Sequence, residues 1–75
     1  MYEFKTGDHY YNQDEQTMMT VLKRTARAAD VRLYRDDESA TAHVSITKGR
    51  NGEIINVYIC GNVYSFDASD SWEVV

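Results

Sequence analysis

The sequence predicts an α+β fold in which one amphipathic helix packs on a four-stranded antiparallel meander, with a short N-terminal edge strand as an addition. The chain has 75 residues, 43% of them hydrophobic, which is enough for a single domain of residues 1–75. Apolar residues follow a helical spacing up to residue 29 and alternate with polar residues after Asp30. This change of period predicts one helix followed by strands.

The helix is predicted over residues 13–29. Asn12 can accept hydrogen bonds from the first-turn amides, and Glu15 lies where it can reach back to the cap. On a helical wheel, the apolar and small residues fall on one side. They are Met18, Met19, Val21, Leu22, Thr25, Ala26, Ala28 and Ala29. The opposite side carries Lys23, Arg24 and Arg27, so we expect a buried face and a basic, exposed face.

Four strands are predicted, over residues 31–35, 40–48, 53–60 and 63–67. A four-residue loop over 36–39 joins the first two. Asn51-Gly52 favours a type I′ turn, and Gly61-Asn62 favours a type II′ turn. The loop over 36–39 would pair Arg35 with Ala40.

The turns at Asn51-Gly52 and Gly61-Asn62 would fix the register of the other two hairpins. Ile46 would lie opposite Val57, and Ile59 opposite Tyr64. One face of the meander would then collect the apolar side chains beneath the helix. The predicted inner face comprises Val31, Leu33, Ala42, Val44, Ile46, Ile55, Val57, Ile59, Tyr64 and Phe66.

The two ends of the chain carry weaker signals. Tyr2 and Phe4 alternate with polar residues and could form the N-terminal edge strand, and residues 72–75 could form another. An exposed edge at 31–35 or 63–67 would permit pairing between two copies, so a homodimer is an open expectation.

The sequence contains little that indicates catalysis. The predicted register places His43 opposite Cys60, but no third residue orients the imidazole, so we expect no enzyme. The single cysteine excludes an internal disulfide, and the spacing of His, Cys and acidic residues predicts no metal site and no cofactor. The sequence has no apolar segment long enough for a membrane span and no secretory signal, which favours a cytoplasmic location without a membrane partner.

We therefore expect a non-enzymatic protein-binding module acting on a larger bacterial protein. Exposed aromatic rings and an acidic loop would make the contact. The candidate binding residues are Tyr34, His43, Tyr58, Asp36, Asp37 and Glu38. In size and acidic composition, though in no aligned motif, the chain is similar to small inhibitors from bacteriophage and mobile elements, such as anti-restriction and anti-CRISPR proteins.

The alternative is a nucleic-acid-binding module that uses the basic helix face of Lys23, Arg24 and Arg27. The formal net charge of −4 weighs against it, because phosphate neutralisation supplies much of the affinity for nucleic acid. An ordinary solvated helix face is the competing interpretation of these three residues.

Overall fold

A computed structural model describes residues 1–72 and places them in a strongly curled antiparallel sheet. The elements are β1 (His9–Asn12), β2 (Thr17–Arg24), β3 (Ala28–Arg35), β4 (Glu38–Lys48), β5 (Glu53–Ile59), β6 (Asn62–Asp67), a 3₁₀ turn (Ala68–Asp70) and β7 (Ser71–Trp72). The strand order in the sheet is β6-β5-β4-β3-β2-β1-β7. The six longer strands form a half-barrel that curls around one core.

The predicted α+β class is wrong, because residues 13–29 form a turn, β2 and the beginning of β3. The expected capping interaction is present, since the amide of Glu15 donates to Oδ1 of Asn12 over 3.1 Å. Here that bond closes the turn between β1 and β2. Asn side chains bond an amide further along the chain in turns as well as at helix caps, so the signal alone does not distinguish the two.

Burial in this segment does not fit the expected helix face. Thr17, Met19 and Val21 are buried at alternate positions of β2, with Thr20 buried between the last two, whereas Leu22 and Ala26 of the expected helix face are exposed. The helical wheel grouped residues that the structure divides between two strands. Threonine and valine in β2 also favour an extended chain.

Each of the three later hairpins has a register two residues away from the predicted one. β3 and β4 are joined by Asp36-Asp37 alone, so Leu33 lies opposite Ala40 instead of Ala42. The β5–β6 turn is Cys60-Gly61, in which both residues have positive φ (50° and 81°) as a type I′ turn requires. A two-residue change of register keeps every side chain on its face, so the expected inner face survives the wrong pairings.

Gly52 accounts for the difference between the predicted and the observed position of the β4–β5 turn. A Cβ atom on Gly52 would lie 2.5 Å from the carbonyl oxygen of Tyr2, and Tyr2 forms a parallel bridge with Gly52. The amide of Gly49 donates to the carbonyl of Gly52 over 2.7 Å, which leaves Arg50 and Asn51 at the tip. The glycine therefore admits the N-terminal segment instead of supplying a turn conformation.

The edges of the sheet also differ from expectation. β3 lies between β2 and β4, so residues 31–35 form no edge, whereas β6 ends the strand order. β6 approaches β1 across the curl, where Nδ2 of Asn12 donates to the carbonyl of Ser65 over 2.6 Å. The expected N-terminal strand is reduced to the Tyr2 bridge. Of the C-terminal strand expected over residues 72–75, only residue 72 lies within the described residues, where it ends β7.

The concave side of the sheet holds the core. Its largest fully buried side chains include Tyr10, Phe4 and Phe66. The rings of Phe4 and Tyr10 meet edge to face with centroids 4.7 Å apart. The hydroxyl of Tyr10 accepts the amide of Lys5 over 2.8 Å, so the N-terminal segment is part of the core.

Candidate binding seam between β4 and β5

The first half of β4 and the second half of β5 diverge and leave a seam in the sheet. β4 pairs with β3 from Glu38 to Ser45, and with β5 only from Ile46 to Lys48. β5 continues beyond that point along β6 as far as Ile59. We call the opening between residues 39–43 and residues 57–59 the β4–β5 seam.

Within residues 1–72, some backbone groups of β4 face this seam without a backbone partner. The amide of Ile46 donates to the carbonyl of Arg27 over 2.8 Å, which assigns the even-numbered residues of β4 to hydrogen bonding with β3. The amide and carbonyl groups of the odd-numbered residues point the other way. Among residues 1–72 no backbone partner is recorded on that side for Ser39, Thr41 or His43.

Two cavities lie along the seam. One, of about 410 Å³, is lined by the inner-face residues Ala42, Val44 and Val57 and by the outer-face residues His43, Ser45, Thr47, Asn56 and Tyr58. The other, of about 260 Å³, lies toward the β3–β4 turn and is lined in part by Ala40 and Ile59. Because alanines occupy inner-face positions 40 and 42, β4 leaves a groove where larger side chains would have closed the sheet.

Two residues expected to bind a partner flank the seam. Tyr58 is 74% exposed, and both Tyr58 and His43 line the larger cavity. Nδ1 of His43 lies 2.6 Å from Oδ1 of Asp30 on β3. Tyr34 lies on the outer face of β3, opposite Ser39, and is half-buried.

The predicted juxtaposition of His43 and Cys60 is wrong. His43 lies opposite Asp30, and Cys60 occupies the exposed turn between β5 and β6. The two-residue change of register removed the pairing. The cysteine–histidine geometry considered from the sequence is therefore absent from the described structure.

The acidic loop lies at the open end of the seam. Asp36 and Asp37 form the β3–β4 turn, and Glu38 begins β4 and lines the smaller cavity. Asp36 adopts a φ of 53°, a conformation that Asp and Asn tolerate better than most residues. The structure thus brings five of the six predicted binding residues to one feature, and Tyr34 lies one strand away.

Antiparallel strands also separate the charge. The turns at 13–16, 36–37 and 60–61 lie at one end of the half-barrel, and with their flanking residues they carry five acidic residues against Arg35, a net −4. The loops at 25–27 and 49–52 lie at the other end. The acidic end is the end at which the seam opens.

The three basic residues of the alternative interpretation do not form one helical stripe, since the described residues 23–27 form the end of β2 and the β2–β3 loop. Lys23 is exposed on β2, and Arg27 is exposed in the β2–β3 loop. Arg24 is half-buried in a two-pronged ion pair with Glu53, over 2.6 and 2.9 Å. Its guanidinium also donates to the carbonyl of Phe4 over 2.6 Å.

Glu53 is the main functional or structural residue that the sequence interpretation missed. It is 5% exposed and accepts the amide of Phe4 over 2.9 Å in addition to Arg24. Hydrogen bonding from Arg24 holds the pKa of Glu53 below its ordinary value, despite burial, and the Phe4 amide acts in the same direction. In the sequence, Glu53 is an isolated acidic residue at the start of an apolar strand, and that pattern does not indicate an ion pair with Arg24.

A β-bulge makes the ion pair possible. The β2–β3 register shifts between Val21 and Lys23, and Leu22 is the extra residue. Val21 and Arg24 would face opposite sides of a regular strand, because they are three residues apart. The bulge returns Arg24 to the inner side, where Glu53 begins β5.

A third, more polar cavity of about 890 Å³ lies between residues 11–14 and 65–71. Its lining includes Asp14, Asp67 and Asp70. Within residues 1–72 no group of three His, Cys, Asp or Glu side chains is arranged to hold a metal ion. In the same part of the chain no helix has the length and apolar character needed to cross a membrane.

Comparisons with protein-family models, with curated proteins and with solved structures give no match, so the site has to be interpreted from its own geometry.

Proposed function

We propose that the chain is a non-enzymatic protein-binding module, an inhibitor or regulator that occupies the surface of a larger bacterial protein. The observation that carries the proposal is the β4–β5 seam, where an apolar groove, unpaired backbone groups and an exposed tyrosine occur together. Protein interfaces combine such apolar and aromatic centres with a polar rim.

The rim supports the same proposal. Tyr58 offers a large ring with little conformational entropy to lose, and His43 is held in place by Asp30. The acidic turn at the open end would steer a partner whose surface is basic there. A cytoplasmic site of action is part of the proposal, because Cys60 is exposed and unpaired.

Catalysis is not part of the proposal. The His43 imidazole, paired with Asp30, lies on an open face of the sheet that does not exclude water. Nucleic-acid binding is not proposed either, because Arg24 is already engaged with Glu53.

The experiment is affinity capture from a bacterial lysate with quantitative mass spectrometry, comparing the wild type with Tyr58→Ser. Leu22→Ser is the matched control, since Leu22 is also exposed but lies on the bulge of β2. We expect Tyr58→Ser to lose a specific protein that Leu22→Ser retains. Calorimetric titration of that purified protein should then give direct binding at least tenfold weaker for Tyr58→Ser.

Two results would overturn the proposal. One is capture of the same proteins by both variants and the wild type, with no binding by the purified candidates. The other is recovery of nucleic acid that is released by salt and lost on changing Lys23 and Arg27 to Glu, which would favour the alternative function.

A further inference from the structure

We infer that the β4–β5 seam binds an extended peptide strand that pairs antiparallel to β4, places alternate apolar side chains in the groove and carries basic residues at its C-terminal end. This inference rests on the proposed protein-binding function and specifies the partner's chemistry. Three features of the seam lead to it: the unpaired edge, the small inner residues and the position of the acidic turn.

The edge supplies the hydrogen bonds. Ser39, Thr41 and His43 each direct an amide and a carbonyl toward the seam, at the spacing that an added antiparallel strand requires. On β5, the Ile59–Asn62 pair closes a two-residue turn and assigns the odd-numbered residues to β6, so within residues 57–59 only Tyr58 directs its backbone groups toward the seam. β4 therefore offers the longer edge, and we assign the added strand the antiparallel direction along it because antiparallel pairing is the more stable of the two.

The groove sets the side-chain pattern. Side chains of directly opposed residues on neighbouring strands point to the same face. Peptide residues opposite Ala40 and Ala42 would therefore point inward, toward Ile59 and Val57 across the seam. Alanine leaves room there for a larger apolar partner, whereas the intervening peptide residues would face solvent.

The acidic turn predicts which end of the bound peptide is basic. β4 begins at Glu38, directly after Asp36 and Asp37, so an antiparallel peptide ends beside these three carboxylates. Lysine or arginine at the C-terminal end of the peptide complements them. The opposite end of the seam closes at the Ile46–Ile55 pair, where the two strands join.

The probe is a short synthetic peptide in which valine and threonine alternate, followed by lysines, titrated into the full chain and followed by amide hydrogen exchange. We expect the amides of Ser39, Thr41 and His43 to gain protection of at least tenfold. The amides of Ala40 and Ala42 already bond to β3 and should change little. A peptide with the same residues in scrambled order is the control and should give no protection.

Three variants separate the contribution of strand pairing from that of charge. Thr41→Pro removes a seam-facing amide without touching the bonds to β3, and it should weaken peptide binding at least tenfold while far-UV circular dichroism stays unchanged. Since proline also restricts the backbone of the strand, Ala40→Phe serves as an independent block that fills the groove. Asp36→Asn with Asp37→Asn should weaken the lysine-tailed peptide and leave a tail-free peptide unaffected.

Protection of the three amides in the free protein, or peptide binding that is equal in wild type, Thr41→Pro and Ala40→Phe, would overturn the inference. These failures are distinct from failure of the proposed function. If a captured partner still depends on Tyr58 but binds both blocked variants normally, the chain is a protein binder that does not accept a strand in the seam.

Discussion

Replacing Arg24 with Met is the perturbation for which the structure gives the clearest magnitude. Glu53 has 6% of its side chain exposed and Arg24 20%, so both charges are largely withdrawn from water. Removing one partner of a buried pair leaves an uncompensated charge and costs about 3 to 5 kcal/mol of the free energy of unfolding. We expect about 3 kcal/mol, the lower end, because the guanidinium retains contact with solvent.

That loss is large for this chain. At roughly 0.05 to 0.15 kcal/mol per residue, a domain of this length has a free energy of unfolding of about 4 to 11 kcal/mol. The midpoint of thermal unfolding should fall by roughly 12 to 24 °C at pH 7. Arg27→Met is the matched control, since the side chain of Arg27 is exposed, and it should change stability by less than about 0.5 kcal/mol.

The assay is urea unfolding followed by far-UV circular dichroism, with a double-mutant cycle that includes Glu53→Met. Arg24→Met with Glu53→Met should be more stable than Arg24→Met alone, because no charge is then left buried. A loss below about 1 kcal/mol for Arg24→Met, or a double variant no more stable than that single variant, would refute the argument from burial.

Three further changes test other parts of the structure. The pKa of Glu53 is lowered in the folded state, so the contribution of Glu53 to the free energy of unfolding is present above its ordinary pKa of 4.5 and is lost as the pH falls through the folded value. Unfolding measured as a function of pH should therefore show a steeper loss of stability in acid for the wild type than for Glu53→Gln. Parallel pH profiles for the two proteins would contradict this. Gly52→Ala should cost about 1 to 3 kcal/mol, because its Cβ would meet the carbonyl of Tyr2, and unchanged thermal stability would show that the N-terminal segment is not packed there. Asn12→Ala should lower the free energy of unfolding in urea by about 1 kcal/mol, because the hydrogen bonds to Glu15 and Ser65 are lost. A variant as stable as the wild type would show that the Asn12 side chain does not stabilise the β1–β2 turn.

The sequence was informative wherever alternation was strong. The strands after Asp30 were predicted close to their observed bounds, and their inner face was predicted despite three wrong registers. When a turn is placed one residue away from its true position, each residue is paired with a residue two positions from its true partner. That partner lies on the same face, so the alternating pattern does not reveal the error. Predicting that Cys60 and His43 would meet required the register itself, and that prediction failed.

The fold class was mistaken for a physical reason. Residues 17–24 contain apolar neighbours and a bulge at Leu22, and the bulge breaks the alternation that identifies a strand. The preceding Asn12 supplied a bond shared by caps and turns. Only the tertiary pairing of β2 with β1 and β3 decides the outcome.

The shape of the candidate site could not be predicted from the sequence. His43, Tyr58 and the acidic loop were chosen because they were expected to be exposed, and the structure gathers them around the β4–β5 seam. The seam itself arises because β4 changes partner at Ile46. The expected hairpin register assumed full pairing, which left no place for an opening.

Amide hydrogen exchange along β4 of the free protein tests the open seam most directly. We expect slow exchange at Ala40, Ala42 and Val44 and fast exchange at Ser39, Thr41 and His43, in strict alternation. Uniformly slow exchange across residues 39–44 would mean that β4 is hydrogen-bonded to β5 along this whole segment, and uniformly fast exchange would mean that β4 is not paired with β3.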